Sequence, residues 1–366
     1  MECPLRKVYE DYYEMKKALI IYSQLDEPKT GGQVIDFEFI HEIESSGCFE
    51  MSYFLDSNLK SNSNLAYNVY LLTHLHRFMT YDVIFMNSRT YPQMLFFVLF
   101  LRILCFKGQL LTIHHHYNFE TSYGWRKIIH RIAELSFLRC MSVLIIPSPF
   151  VLDLTKELLP QSDTVYIPIG FKDLGDSINV TENNNHRLLC VGNVDRRKRN
   201  HQMIEIAKAL APLYSDLKVD IVGGVLETDY NIEITNAIQS NGLNDVVILH
   251  GRVDDATLNK LYDDASIFVF PSSYEGYGMA LIEAMSHSLP VVAYNNSAIP
   301  YSIKNGYNGF VVEDNNVSLL TNRIKEIFDD KDLYLNLKHN AKEYVCSLPT
   351  IDQMRLSMRN YIKTIA

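Results

Sequence analysis

Residues 267–294, reading IFVFPSSYEGYGMALIEAMSHSLPVVAY, decide the fold. Ile267, Phe268, Val269 and Phe270 form a short run of β-branched and aromatic residues, the signature of a strand buried on both faces of a parallel sheet. Pro271, Ser272 and Ser273 end that strand, and Glu275, Gly276, Tyr277 and Gly278 make a tight glycine turn. Residues 279–287 have helical composition, and Pro290 with Val291, Val292 and Ala293 starts the next strand. The predicted unit is strand, glycine loop and helix, with Glu275 in the loop and Glu283 on the helix. Gly276 and Gly278 let backbone approach a ligand, and the unpaired N–H groups at the helix start, around Gly278 and Met279, point at it. A helix tip of this kind is an anion site, usually for phosphate.

Both glutamates fall at the carboxyl end of a strand, where open α/β sheets bind ligands. A carboxylate beside phosphate is repelled, so each is expected to accept hydrogen bonds from neutral hydroxyls. Sugars supply these: a hexose for one glutamate and a ribose for the other. An acidic residue early in a helix also stabilises the helix dipole with no ligand present, and Glu283 alone fits that reading too.

The Glu275-x7-Glu283 unit, with its glycines, flanking strand and helix, resembles the E-x7-E signature of retaining glycosyltransferases of family 4. The resemblance implies an α/β fold of the GT-B type: two Rossmann-like domains with parallel sheets facing across a cleft, and a C-terminal helix returning to the first domain. It covers nearly the whole chain beyond residue 16 and is strongest over 267–295. Ser288 departs from it, standing where family sequences usually carry glycine, and reads as a mild packing change.

At 366 residues the chain exceeds what one hydrophobic core usually supports, so two domains are expected. We expect an acceptor-side domain over 1–172, a nucleotide-sugar-binding domain over 173–346 and a returning helix over 347–366, with residues 1–15 a peripheral arm or short helix and 172–185 a linker. A hydrophobic fraction of 47% with 21% charged residues is that of a soluble globular protein. The net charge of -9 argues against nucleic acid as a partner and against strong attraction of the whole molecule to anionic lipid. The six cysteines form no C-x-x-C pair, as expected of free thiols in a reducing compartment. The charged, tyrosine-rich start lacks the apolar core of a signal peptide. The expected location is the cytoplasm, or the inner face of the membrane.

In chain order, residues 17–24 read as a strand, followed by a loop containing Gly31 and Gly32 and a helix over 34–44. Further strands are expected at 49–56, 82–86, 109–114, 142–147 and 164–168, alternating with helices, a rhythm that implies a parallel sheet covered on both faces. The resemblance places Gly31 and Gly32 beside the donor and acceptor. His114, His115 and His116 invite a metal, but neighbours on a strand point to opposite faces and no carboxylate or thiol flanks them at ligand spacing. His114 matches the family's Thr-x-His position, which implies a place near the sugar's primary hydroxyl; a satisfied loop histidine is the alternative. Residues 94–106 are strongly apolar yet shorter than the ~20 needed to cross a bilayer. They read as a buried packing helix, or else as a monotopic membrane contact. Residues 125–139, with Arg126, Lys127, His130, Arg131 and Arg139, either rim that surface or form an ordinary amphipathic helix.

Past the linker, residues 187–192 read as a strand that ends in Asn193 and the basic run Arg196, Arg197, Lys198 and Arg199. By itself such a run reads as solvated charge or a nuclear-localisation-like patch, but it begins at the ligand edge of the sheet, where cations can neutralise a departing diphosphate. The resemblance assigns Arg197 and Lys198 to the family's basic pair. Asn193 occupies a position that often carries arginine, so Arg196 or Arg197 compensates. Arg252 falls at the family's base-binding turn. Ile169 and Tyr301 replace a usual asparagine and glutamate. The Asp330-Lys331-Asp332 string copies a metal motif but follows no strand, and reads as surface charge.

The resemblance implies metal-independent transfer, with retention, of a hexose from a UDP- or GDP-sugar to a hydroxyl of a glycan, lipid-linked or small-molecule acceptor. Glu275 would hold the hexose, Glu283 the ribose, and His114 would orient the sugar. Arg197, Lys198 and the amides of residues 276–279 would stabilise the leaving diphosphate. No cofactor is implied. The rivals are a sugar-nucleotide epimerase of the same architecture, a phosphorylase, and a catalytically silent binding module.

Overall fold

The computed structural model describes residues 15–22, 31–55, 64–171 and 185–366, without the side chains of residues 55 and 64–68. The expected N-terminal arm, the loop ahead of Gly31, and the linker with its domain boundary lie outside the described residues.

Among the described residues, the first six strands are β1 (Lys16–Tyr22), β2 (Phe49–Leu55), β3 (Val83–Asn87), β4 (Gln109–Ile113), β5 (Val143–Ile146) and β6 (Thr164–Tyr166). They form one sheet in the order β2-β1-β3-β4-β5-β6. The next six are β7 (Arg187–Val191), β8 (Lys218–Val222), β9 (Val247–Gly251), β10 (Ile267–Phe270), β11 (Val291–Tyr294) and β12 (Gly309–Val312). They form a second sheet in the order β12-β11-β10-β7-β8-β9, with parallel pairing. Read from β9, this is the doubly wound order 3-2-1-4-5-6, whose direction of winding reverses between its first and fourth strands, here β7 and β10.

The apolar runs of the central strands form where helices cover both faces of a sheet, while the outer strands β2, β6 and β9 keep exposed residues. All four residues of β10 and all four of β11 are buried. One side of the second sheet packs Met203, Ile206, Ala207 and Ile324 against Val269 and Val292. The other packs Leu281, Ile282, Met285 and Ala341 against Phe268, Phe270 and Val291. At roughly 1.5–3 kcal/mol per fully buried large apolar side chain, these two layers dominate the favourable side of folding.

Two compact units result. One comprises Met1–Ile113, Ser136–Leu144 and Arg355–Ala366, and the other His114–Leu135 and Ile145–Met354. In the first, the helix Ile351–Ile365 contributes Met358 and Ile362 to the core. Its Arg355 forms a bidentate pair with Glu38 (2.8 and 3.0 Å), and its Arg359 pairs with the buried Glu42.

Two expectations about the first unit change. The helix after β1 spans Gly31–Ser45, so Gly31 and Gly32 open the helix rather than sit in a loop before it. The apolar stretch forms the helix Tyr91–Ile103, but it is buried on one face only. Met94, Phe97, Val98 and Leu101 are inside, while Phe96, Phe100, Ile103 and the following Leu104 are exposed. No helix among the described residues is long and apolar enough to cross a membrane.

Candidate functional site

The basic run leaves β7 and the glycine turn leaves β10, the two strands that flank the reversal of winding. Diverging connections open a crevice at such a point, where open α/β sheets hold their ligands. Adjacent strands thus deliver Lys198 and Glu275 to one place, although 76 residues separate them in the chain.

Asp195 starts the basic turn as an N-cap: its carboxylate accepts from the Lys198 N–H (2.8 Å) and a short 3₁₀ turn, Arg196–Lys198, follows. The turn fans out the four cations. Arg196 points to Glu227 and Glu233, and Arg199 pairs with Asp314 at 2.7 Å. Arg197 and Lys198 both turn to Glu275. Arg197 Nη1 donates to Glu275 Oε1 (2.9 Å) and to the Tyr274 carbonyl (2.6 Å). Lys198 Nζ donates to the same Oε1 (2.7 Å) and lies 4.6 Å from the centre of the Phe270 ring. Ser272 Oγ also donates to Oε1, and the Glu275 N–H donates to Ser297 Oγ (2.8 Å). From the described residues, Glu275 Oε2 accepts no hydrogen bond.

Glu275 is 8% exposed. Burial raises its pKa, but Lys198 and Arg197 outweigh burial, and the carboxyl lies below its ordinary value. The site therefore holds an ionised acid locked between two cations, with the Asp195 carboxylate 3.9 Å from Arg197 Nη2.

Gly278, with φ +88°, is the N-cap of the helix Met279–Ser286. An L side chain there would be strained, so glycine is required to aim the helix start. Gly276 has a different purpose from the one expected. A Cβ on it would lie 2.5 Å from the His115 carbonyl oxygen and 2.8 Å from His116 Cβ. The space that it leaves admits the protein's own backbone, not a ligand, and it seats the histidine segment against the glycine turn. Tyr277 rests its ring against Phe171 at 6.0 Å.

His114 follows β4 and is fully buried, and neither ring nitrogen has a hydrogen bond from the described residues. Burial, and then the neighbouring His116 and His115, drive its pKa well below the ordinary value. The ring is therefore neutral, with one N–H and one lone pair unmet. Such vacancies cost about 1–3 kcal/mol each unless a partner arrives. Two hydroxyls, one accepting from the ring N–H and one donating to the bare nitrogen, would match that pair. The segment is pinned from behind. Tyr117 sets its ring edge on His114 at 4.4 Å and bonds Thr155 Oγ1 (2.9 Å). The buried Glu134 accepts from the Asn118 and Phe119 N–H groups at 2.9 and 3.0 Å. Among the described residues, none of the histidines belongs to a group of three His, Cys, Asp or Glu side chains placed to hold a metal ion.

Glu283 accepts from Tyr262 (3.1 Å). Water reaches its side chain, yet protein crowds the carboxyl from most sides, and burial raises its pKa. Asn193 is half-buried just past β7. Arg252 is exposed after β9, two strands from β7 or about 10 Å away, and does not join the cluster. Gly31 and Gly32 belong to the first unit. Ile169 is buried in the core, and Tyr301 donates to Asp153 (3.0 Å) and meets the Phe150 ring. Asp330 is the N-cap of the helix Lys331–Cys346, which accounts for the acidic string without a metal.

Ser288 corrects another expectation. It has φ +59° and follows the C-cap of the 279–286 helix. The Leu289 N–H bonds Ala284 O (3.0 Å) and the Ser288 N–H bonds Met285 O (2.9 Å), the pairing of a Schellman motif. Glycine is favoured at this position because of backbone conformation; packing is not the reason.

The residues that sequence reasoning missed are Ser272, Ser297, Asp195, Tyr262 and Glu134. Asp195 alone was legible, as an acid three residues before Lys198 at a turn start.

Residues 176–344 match the family model described as Glycosyl transferases group 1. The capsular polysaccharide biosynthesis glycosyltransferase CapM of Staphylococcus aureus is 26% identical over 163 residues, which is 44% of this chain and 42% of CapM. The chain spans less than half the length of this and the other leading curated relatives. Sucrose-phosphate synthase from Thermosynechococcus elongatus superposes with a TM-score of 0.75 at 18% identity, covering 96% of this chain and 99% of that one. HepE of Anabaena, solved in complex with UDP-glucose, gives 0.71 at 17%, covering 95% and 100%. Two parallel six-stranded sheets wound with helices, matched along almost their whole length by these two structures, are an α/β fold of GT-B type, and its residues 176–344 are similar to the glycosyl transferases group 1 model.

Proposed function

We propose that the chain is a retaining glycosyltransferase of the E-x7-E type. It moves a hexosyl group from a nucleotide-diphosphate sugar to a hydroxyl of a glycan, lipid-linked or small-molecule acceptor. The observation that carries this reading is the convergence of Arg197 and Lys198 on Glu275 beside the start of the 279–286 helix, at the reversal between β7 and β10. The diphosphate sits against the helix amides and the two cations. Glu275 Oε1 keeps those cations in place while Oε2 takes hydroxyls of the hexose. Glu283 takes the ribose, and His114 meets a sugar hydroxyl with one of its ring nitrogens.

In the reaction the bond from the anomeric carbon to the diphosphate oxygen breaks, and the acceptor oxygen bonds that carbon from the same side. The acceptor's proton passes to the departing diphosphate. Arg197, Lys198 and the helix start stabilise the charge that builds on the leaving oxygens, so no divalent metal is required. UDP is the first nucleotide to test, because HepE was solved with UDP-glucose. The proposed setting is the cytoplasm, with peripheral contact at the inner membrane face.

The test is turnover of UDP-, GDP- and ADP-sugars against a panel of acceptors, without added metal, beside thermal shifts for each nucleotide. One nucleotide diphosphate should raise the melting temperature, and its sugar should be consumed only with an acceptor. Donor isomerised or hydrolysed without acceptor would replace this reading with the epimerase, and binding without turnover would replace it with a silent module.

A further inference from the structure

The helix Gly124–Arg139 has two unlike halves. Beyond residue 133 it is largely enclosed, with Glu134, Leu135, Phe137 and Leu138 buried. Its first half carries four large apolar side chains in water: Trp125 is 69% exposed, Ile128 63%, Ile129 52% and Ile132 63%. At ~100° per residue these four fall within one arc of about 100°, with Arg126 about 60° beyond one edge and Arg131 about 60° beyond the other. Both arginines are exposed. The opposite side is fastened to the protein: Lys127 pairs with Glu120 (2.7 Å), and His130 bonds Ser122 (3.0 Å). The stripe is held outward.

We propose that residues 123–132 are a docking surface for an anionic lipid bilayer. Tryptophan and isoleucine on one stripe, with arginine along both edges, is the pattern of a helix lying in the headgroup plane: the stripe enters the acyl boundary and the guanidiniums meet lipid phosphates. Tyr123, 78% exposed just ahead of the helix, adds a ring suited to that depth. Charge selects the occupant. With a net charge of -9, two copies of the chain repel, whereas this patch is locally cationic. Screening within ~8 Å lets the patch act apart from the charge of the whole molecule. The exposed face of the 91–103 helix has no such cationic edges and is not included.

Trp125 is the chain's one tryptophan, so its fluorescence reads this surface alone. The full chain is mixed with vesicles of phosphatidylcholine, with and without phosphatidylglycerol. A blue shift and co-sedimentation are expected with the anionic vesicles only, weakening with salt. The double change Ile128→Ser and Ile132→Ser should reduce binding by more than about tenfold. Arg126→Gln and Arg131→Gln should each reduce it by about fivefold. Melting temperatures should not move, because these side chains are exposed. Absence of the blue shift, or binding that neither set of changes weakens, overturns the proposal. So does self-association, or retention of a protein partner, that the isoleucine change abolishes while vesicles do not bind. Vesicle binding needs no donor or turnover, so this proposal and the proposed activity fail separately.

Discussion

Lys198 Nζ and Glu275 Oε1 stand 2.7 Å apart, on turns that leave adjacent strands of one parallel sheet. Three side-chain donors crowd that single oxygen, while Oε2 receives none from the described residues. A carboxylate used so unevenly both positions the cations and keeps an acceptor in reserve. Losing either partner should therefore be felt in function more than in folding.

Lys198→Ala should cost about 2–3 kcal/mol of transition-state stabilisation, read as kcat/KM with the donor identified by turnover. Glu275→Gln should lose a similar amount and also change the acid limb of stability. The Glu275 carboxyl lies below its ordinary value in the folded state, so its contribution is present above the unfolded carboxyl pKa and fades as pH falls through the folded one. Denaturant midpoints from pH 7 down to pH 3 should fall less steeply in Glu275→Gln than in the parent. Equal slopes would show that the cations do not hold the acid.

His114 titrates in the opposite region of pH. Its folded pKa is far below 6.5, so the unfolded chain binds the extra proton first, and stability should decline as pH drops below about 6.5. His114→Phe removes that proton and should flatten the decline between pH 6.5 and 5, measured by thermal melts, while lowering turnover at neutral pH by at least about tenfold. A parent curve already flat in this window would mean that His114 is not buried and neutral.

Gly276→Ala puts a methyl group 2.5 Å from the His115 carbonyl oxygen. Overpacking of this kind typically costs about 1–3 kcal/mol. The clash involves the turn bearing Glu275 and the segment bearing His114, so activity should fall further than the stability change accounts for. Unaltered melting and turnover would refute the close approach.

Ser288→Gly should stabilise the protein by about 0.5–1 kcal/mol, because the position has φ +59° and ends the helix in a Schellman motif. The gain should appear in the denaturant midpoint, with activity unchanged.

The strand run at 267–270, the glycine turn and the basic run were legible because each is local: apolar residues bounded by Pro, Ser and Gly, or cations just past a strand. The convergence of Lys198 with Glu275 was anticipated only through the resemblance, since strand order is not written in any short stretch. Ser288 was misread because a positive φ leaves no trace in residue type when serine occupies it. Gly276 was misread because a glycine that admits a ligand and one that admits a neighbouring carbonyl look alike in sequence. Glu134 passed as one acid on a surface helix, and only the Asn118 and Phe119 N–H groups against it reveal a buried anchor. The 91–103 helix is apolar apart from Gln93 and Arg102, so its residue types gave little sign of which face would stay uncovered.

The pairing of Arg355 with Glu38 and Arg359 with Glu42 bears on how the chain is made. Those arginines are translated after the whole second sheet, so a nascent first unit waits with two acids unmatched and the seat of Ile362 open until synthesis reaches them. A fragment stopped short of residue 355 lacks part of its own interior. The first unit is thus discontinuous in biosynthesis, and its completion reports that the intervening domain has already left the ribosome.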